Sequence, residues 1–246
     1  MRWLKSTLCL RTMEFWRARH AISAVEFALV LPLVVLLMLG SVETARLIIF
    51  MRRVTQVSNT IVELLAQTQA QNPNSADTVP WSVTYIDLHF AIDSTMVIFP
   101  QIFQDAALKG TTWKNDISIS MAGVCFSSSA TTCTPTCTSN CTYANVVWNS
   151  GPNKRTCGVA LTAAADTSAP SPATLPTDVF GPGSLLVVDI VFNYTPIFGS
   201  GIFGTIPLKT SAYLAPRDLQ PTSSPNYIKY TVISGDDGIG SECAGY

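Results

Sequence analysis

The distribution of apolar and charged residues divides the chain into a basic start, a long apolar segment and a mixed remainder. An apolar run extends from Phe27 to Val42, with Pro32 inside it. Together with Ala21 to Val25, this run reaches the length of about 20 residues that a helix needs to span a bilayer. The pattern therefore predicts one membrane-spanning helix, which Pro32 bends because proline removes a helical hydrogen bond.

Beyond the apolar run, the helical pattern continues in amphipathic form. Apolar residues recur at alternating gaps of three and four, at Leu47, Phe50, Val54, Val57, Ile61 and Leu64. This heptad spacing predicts one helix over residues 22–70, which ends before the turn-forming residues 71–75. The apolar stripe can pack on the rest of the same chain, which we favour, or on helices of partner proteins.

Residues 71–246 are predicted to form mainly β-strands. The candidate strands are rich in Val, Ile, Thr and aromatic residues, and they cover 81–90, 116–126, 143–148, 185–194, 208–214 and 227–233. A short helix is predicted over 94–108, and loops over 127–142 and 162–182. The sequence thus predicts an α+β fold, in which a long N-terminal transmembrane and amphipathic helix precedes a mainly antiparallel β domain with disulfides.

The charges indicate which end of the chain stays inside the cell. Five cations lie in residues 1–20, against the single acid Glu14. They are Arg2, Lys5, Arg11, Arg17 and Arg19. Because positive charge favours the inner side, we expect an inner-membrane protein with a basic cytoplasmic leader at 1–21, the helix at 22–70 and an extracytoplasmic, periplasmic domain at 71–246. The net charge of −1, without a basic stripe, gives no reason to expect a nucleic acid partner.

The seven cysteines divide in the same way. Cys9 lies in the leader, and six lie in the exported part: Cys125, Cys133, Cys137, Cys141, Cys157 and Cys243. An even number in an exported domain predicts up to three disulfides, among 15 pairings that the sequence leaves open. The alternative of a metal site rests on the Cys-x3-Cys-x3-Cys spacing from Cys133 to Cys141. That spacing lacks the usual Cys-x2-Cys unit and a nearby histidine, so we favour disulfides.

No pattern of catalytic residues stands out. His20 belongs to the basic flank, and His89 falls in a predicted strand without a recognisable partner. The chain has no Gly-x-Ser-x-Gly, His-Glu-x-x-His or phosphate-loop motif. We therefore expect no catalytic, metal-binding or cofactor-binding residues and no cofactor. A secreted enzyme of unrecognised type is the weakest of our three hypotheses for the function.

Glu26 is the one carboxylate just inside the apolar edge of the predicted helix. A charge in lipid costs about 2.5–3.5 kcal/mol at a helix centre on insertion scales, and less near an interface. The side chain can reach water at the membrane surface, or it can pair with a cation or be recognised by a partner. We favour pairing or recognition.

Residues 21–32 read Ala-Ile-Ser-Ala-Val-Glu-Phe-Ala-Leu-Val-Leu-Pro, and Gly40 and Glu43 follow. This segment resembles the N-terminal region of the TadE-like family, whose members are minor pseudopilins of the Tad/Flp pilus machinery. The shared pattern is a basic leader, Ala-Val-Glu-Phe-Ala-Leu, a proline (Pro32), and a glycine with a glutamate three residues later. A weaker resemblance covers 187–217, where family members have a strand with Tyr and Pro, a glycine-containing apolar loop and a last strand.

The resemblance implies cleavage by a prepilin peptidase between Ala21 and Ile22, where Ala21 replaces the usual glycine. Glu26 would then be the fifth residue of the mature chain, followed by Phe27, and could pair with the N-terminal amine of a neighbouring subunit. The implied partners are the inner membrane, other pilins or pseudopilins, Tad machinery proteins and the peptidase. The alternative function is a single-pass, membrane-anchored extracytoplasmic binding module with a disulfide-rich loop.

Overall fold

The computed structural model describes residues 19–68, 82–129, 133, 137, 141–217 and 227–246, with side chains from residue 23 onward except at 202. Most of the basic leader, Cys9 and the predicted helix end at 71–75 therefore lie outside the described residues.

The first element is a single helix, α1, over Arg19–Ala66, with Pro32 inside it. Its 48 residues give a length of roughly 70 Å at 1.5 Å per residue. The helix ends at Ala66 instead of at 70, and its last turn tightens, because the amides of Gln67 and Thr68 bond to carbonyls three residues back at 3.2 and 3.3 Å. Its second half packs on the β-sheet and on a second helix.

The predicted stripe on α1 is half-buried at Leu47, buried from Phe50 to Ile61, and then shifts by one residue. Phe50, Val54, Val57 and Ile61 are buried, and Leu65 follows them into the core while Leu64 stays half-exposed. A straight helix has 3.6 residues per turn, so a strict seven-residue repeat drifts off one face. The stripe packs on the protein's own fold, as favoured from the sequence.

The core of the domain is a five-stranded sheet in which every neighbouring pair is antiparallel. In spatial order its strands are β7 (Ile206–Leu214), β6 (Ser184–Tyr194), β2 (Ile117–Ser127), β3 (Tyr143–Ser150) and β9 (Gly240–Glu242). Two small parallel pairs join β1 (Ser82–Val83) to β8 (Lys229–Tyr230), and β4 (Thr162–Ala164) to β5 (Thr174–Pro176). The α+β fold with a mainly antiparallel sheet is therefore confirmed.

Both faces of the sheet are buried. Along β2, Ile119 and Met121 join the larger core beneath α1, whereas Val124 and Phe126 join a second cluster on the opposite face. That second face is covered by the connection that follows β3, which includes Leu161 and Leu175. Side chains that alternate between two covered faces explain why β2 contains almost no exposed residue.

The chain between α1 and β2 differs from the prediction. Within the described residues 82–90 of the predicted strand, Ser82–Val83 form β1, and helix α2 covers Tyr85–Ile98. The amide and the hydroxyl of Thr84 both donate to the Asp87 carboxylate at 2.8 Å, and this cap at the first turn favours the helix. His89 consequently lies on a helix.

The predicted helix 94–108 is interrupted at Pro100. Helix α2 ends at Ile98, α3 covers Gln101–Leu108, and the short α4 covers Trp113–Asp116. Pro100 has no amide hydrogen and therefore cannot continue the hydrogen bonds of α2.

The last third of the chain also departs from the prediction. The loop 162–182 contains β4, β5 and a 3-10 turn over Thr177–Val179, and the strand predicted at 227–233 is reduced to β8. Strand β9 was not predicted, because Gly240 and Ser241 are poor strand formers.

Candidate functional site

The first half of α1 is apolar, and its described side chains are almost all exposed. From residue 23 to 42, every residue is exposed except the half-buried Leu39. Leu29 is 75% exposed and Leu36 66%. The helix has a mean hydropathy of 2.4 in its most apolar window, and none of that window is buried. By length and composition, this helix indicates a membrane anchor.

Glu26 and Phe27 lie on the exposed surface near the start of this half of the helix. Phe27 is 66% exposed. Glu26 is exposed, and within the described part of the chain its carboxylate makes no hydrogen bond or ion pair. The backbone of Ala21 and Ile22 is helical, one turn before Glu26. In the region predicted for recognition by a peptidase or a neighbour, the side chains of Glu26 and Phe27 are thus exposed.

Glu43, in contrast, is the point at which α1 holds the sheet domain. Its carboxylate accepts a hydrogen bond from the hydroxyl of Tyr194, the last residue of β6. The amide of Ile197 lies 3.3 Å from each carboxylate oxygen, and the amide of Phe198 lies 3.4 Å from one of them. Arg46, one turn along the helix, lies 3.7 Å away. One carboxylate therefore accepts hydrogen bonds from three donors in residues 194–198 and forms an ion pair with Arg46 on its own helix.

The aromatic surroundings fix this contact. The ring of Tyr194 is fully buried and meets Phe50 at a centroid distance of 5.3 Å, and the guanidinium of Arg46 lies 5.8 Å from the Tyr194 ring. Burial, and then the hydrogen bond to Glu43, raise the pKa of the Tyr194 phenol well above its usual range. The phenol therefore stays protonated at neutral pH and donates to Glu43.

The segment that Glu43 holds is the connection between β6 and β7, residues 195–205, here called the apolar loop. It contains no charged residue. Gly199, at φ +82°, precedes the short helix α5 (Ser200–Phe203), and Gly204, at φ +62°, ends it. These left-handed conformations require glycine. Ile197 is 50% exposed, Phe198 43% and Phe203 69%.

A groove of about 800 Å³ separates the apolar loop from α1. Pro32, Leu36 and Gly40 form part of the helix wall, and Phe198 and Phe203 form part of the loop wall. Two of the three predicted helix-motif residues, Pro32 and Gly40, thus face the same groove as the third, Glu43.

The six cysteines from Cys125 to Cys243 form three pairs at disulfide distance. The Cα atoms are 5.9 Å apart in Cys125–Cys133, 5.8 Å in Cys137–Cys141 and 5.5 Å in Cys157–Cys243. All three distances lie within the usual range for a disulfide. The described residues include no group of three or more His, Cys, Asp or Glu that could hold a metal ion.

A buried ion pair on the second face of the sheet was missed by the sequence reasoning. Arg155 is 1% exposed and donates from two nitrogens to Asp189 on β6, at 2.8 and 3.0 Å. It also donates to the carbonyl of Thr174 at 2.7 Å, and Ser211 donates to Asp189. The sequence contained one signal for this pair, the single aspartate inside the apolar strand Leu-Leu-Val-Val-Asp-Ile-Val-Phe. A charge in such a strand requires a partner.

His89 is not near this pair or the groove. Its Nε2 lies 2.9 Å from a carboxylate oxygen of Asp237, and both side chains are partly exposed. Hydrogen bonding from His89 lowers the pKa of the Asp237 carboxyl. This exposed pair links α2 to the turn before β9.

These features describe an α+β protein with one exposed apolar helix, long and apolar enough to cross a membrane, whose far half is built into an antiparallel sheet. Residues 21–62 match the model of the family described as TadE-like protein. The match includes Glu26, Pro32, Gly40 and Glu43, and it confirms the resemblance derived from the sequence. No curated protein and no solved structure matches the chain. The TadE-like segment supports a role related to the Tad pilus.

Proposed function

We propose that this protein is a minor pseudopilin that takes part in Tad/Flp pilus assembly through helix packing and protein contacts. The proposal rests on one observation: the TadE-like segment, residues 21–62, lies on helix α1, whose two halves have different surroundings. The second half is built into the sheet, whereas the first half is apolar and exposed. A helix of this kind is suited to lie in a membrane first and among helices of other pilins or pseudopilins later.

In this proposal the protein lies in the inner membrane, with residues 1–21 in the cytoplasm and 71–246 in the periplasm or in the assembled pilus. Three cysteine pairs at disulfide distance support an oxidising compartment for the domain. A reporter that is active only in the periplasm, fused after Tyr246, should be active. Activity of a cytoplasm-only reporter at that position would reject this orientation.

Prepilin peptidase is proposed to cut between Ala21 and Ile22. The cut would remove the basic leader and create an amine one helical turn before Glu26. Since Glu26 has no partner among the described residues of its own chain, its carboxylate is available to the amine of a neighbouring subunit or to the peptidase. Such pairing lowers the cost of placing either charge among apolar helices.

The test compares Glu26→Ala with Glu63→Ala, because Glu63 is an exposed glutamate on the same helix. We expect Glu26→Ala to insert normally and to reduce the number of pili several-fold, and Glu63→Ala to leave that number unchanged. N-terminal sequencing of the wild-type protein from membranes should begin at Ile22. An N-terminus at Met1 in cells with active peptidase would exclude processing. Normal piliation in the Glu26→Ala strain would instead favour the membrane-anchored binding module.

A further inference from the structure

We propose that the apolar loop, residues 195–205, inserts into the membrane beside α1, and that lipid acyl chains occupy the groove between them. The loop would give the protein a second membrane contact and fix the depth of the sheet domain. This inference rests on membrane anchoring by α1, and it does not depend on a role in pili.

The first argument is position along α1. The helix wall of the groove extends from Pro32 to Leu47 and includes residues of the apolar run that we assign to the membrane. These 15 steps correspond to roughly 22 Å of helix. A loop that shares a groove with this part of the helix lies on the membrane side of the domain.

The second argument is where the apolar surface of α1 ends. Exposed apolar residues continue past Glu43 to Ile48, Ile49 and Met51, which are 46–50% exposed. The first basic residues after them are Arg52 and Arg53, which are suited to anionic headgroups. The exposed apolar surface of α1 therefore continues on both sides of Glu43 and of the loop that it holds.

The third argument is the chemistry of the loop. Ile197, Phe198 and Phe203 are all at least 43% exposed, and the loop carries no charge. Large apolar side chains gathered on an otherwise uncharged surface mark an interaction site. Acyl chains fit this surface because it is continuous with the exposed apolar helix.

The fourth argument concerns the backbone. Irregular backbone in lipid is costly unless its polar groups are satisfied. The amides of Ile197 and Phe198 donate to Glu43, and those of Phe203 and Gly204 donate to carbonyls within the loop at 3.0 and 2.9 Å. Glu43, whose charge is shared with Arg46, thus replaces the water that these amides would lose.

The experiment places the photoreactive residue benzoylphenylalanine at Phe203 in the full chain, reconstituted in vesicles of phosphatidylethanolamine and phosphatidylglycerol. Phe90 is the matched control, because it is 66% exposed against 69% for Phe203. Phe90 borders Leu64 and Gln67 at the far end of α1, roughly 30 Å along the helix from Glu43. Irradiation followed by mass spectrometry identifies what each position contacts.

We expect a phospholipid adduct at position 203 at least tenfold more abundant than at position 90. Equal lipid adducts at the two positions, or none at 203, would overturn the proposal. A crosslink from 203 mainly to a second copy of the chain would also overturn it and would assign the groove to a protein contact. Because the vesicles contain no pilus machinery, this result and the piliation test can fail separately.

Discussion

The contact between Glu43 and Tyr194 gives the sharpest prediction. Tyr194→Phe keeps the ring, and with it the packing against Phe50, but removes the hydroxyl donor from Glu43. The remaining donors are long, at 3.3 Å for Ile197 and 3.4 Å for Phe198, and Arg46 lies at 3.7 Å. The hydroxyl is therefore the strongest partner of this carboxylate.

A hydrogen bond to a charged group contributes about 1.5–3 kcal/mol. We expect the free energy of opening the apolar loop to fall by about this amount in Tyr194→Phe, which corresponds to roughly 10- to 150-fold faster amide exchange in that loop. Hydrogen exchange with mass spectrometry, on the purified protein in detergent micelles, measures this in the peptide that covers 195–205. The peptide from β2 serves as an internal reference for global unfolding.

Tyr213→Phe is the control, because Tyr213 is half-buried on the adjacent strand β7 and, within the described residues, its hydroxyl makes no hydrogen bond. This variant should change exchange in the loop by less than about twofold, since no hydrogen bond is lost. The reasoning is refuted if the two variants behave alike. It is also refuted if Tyr194→Phe accelerates exchange equally in β2, which would mean that the sheet and not the loop contact was lost.

Three further predictions concern other parts of the molecule. Asp189→Ala leaves Arg155 buried without its partner and should lower the free energy of unfolding, measured with a chemical denaturant, by about 3–5 kcal/mol. The control Asp178→Ala, at an exposed position, should lower it by less than about 0.5 kcal/mol. The unreduced protein should weigh about six mass units less than the reduced protein, two per bridge, and six alkylatable thiols would contradict this. In Gly40→Ala the new methyl meets no atom within 4 Å, so stability should change by at most about 1 kcal/mol, and a loss of pili would then indicate contact with another chain.

The parts of the fold that sequence could predict are those with long, uniform patterns. The apolar run and the stripe from Phe50 to Ile61 predicted α1, and alternating or continuous apolar residues predicted β2 and β6. The segment 81–90 misled, because its Val, Thr, Tyr and Ile residues favour a strand. In the structure, the local cap between Thr84 and Asp87 outweighs that preference. In the sequence, such a cap is harder to recognise than the composition of a ten-residue segment.

The sequence singled out the helix motif and, more weakly, the segment 187–217, but it did not predict that the two meet. The motif singled out Glu43, but its partner Tyr194 is 151 residues away in sequence. Spacing along a chain carries no information about contacts at that separation. The pairing of Arg155 with Asp189 was hidden for the same reason, although the isolated charge in β6 indicated that some partner exists.

The position of β9 at one edge of the sheet affects how the domain forms during export. Strand β3 has one edge on β2 and the other on β9, and ninety residues separate Ser150 from Gly240. In the proposed orientation, with residues 1–21 in the cytoplasm, β3 reaches the far side of the membrane long before β9 covers it. An uncovered edge strand is a template for pairing with other chains. A domain exported as proposed is therefore exposed to mispairing until its final segment arrives, and that interval is the stage at which a periplasmic chaperone would be of most use.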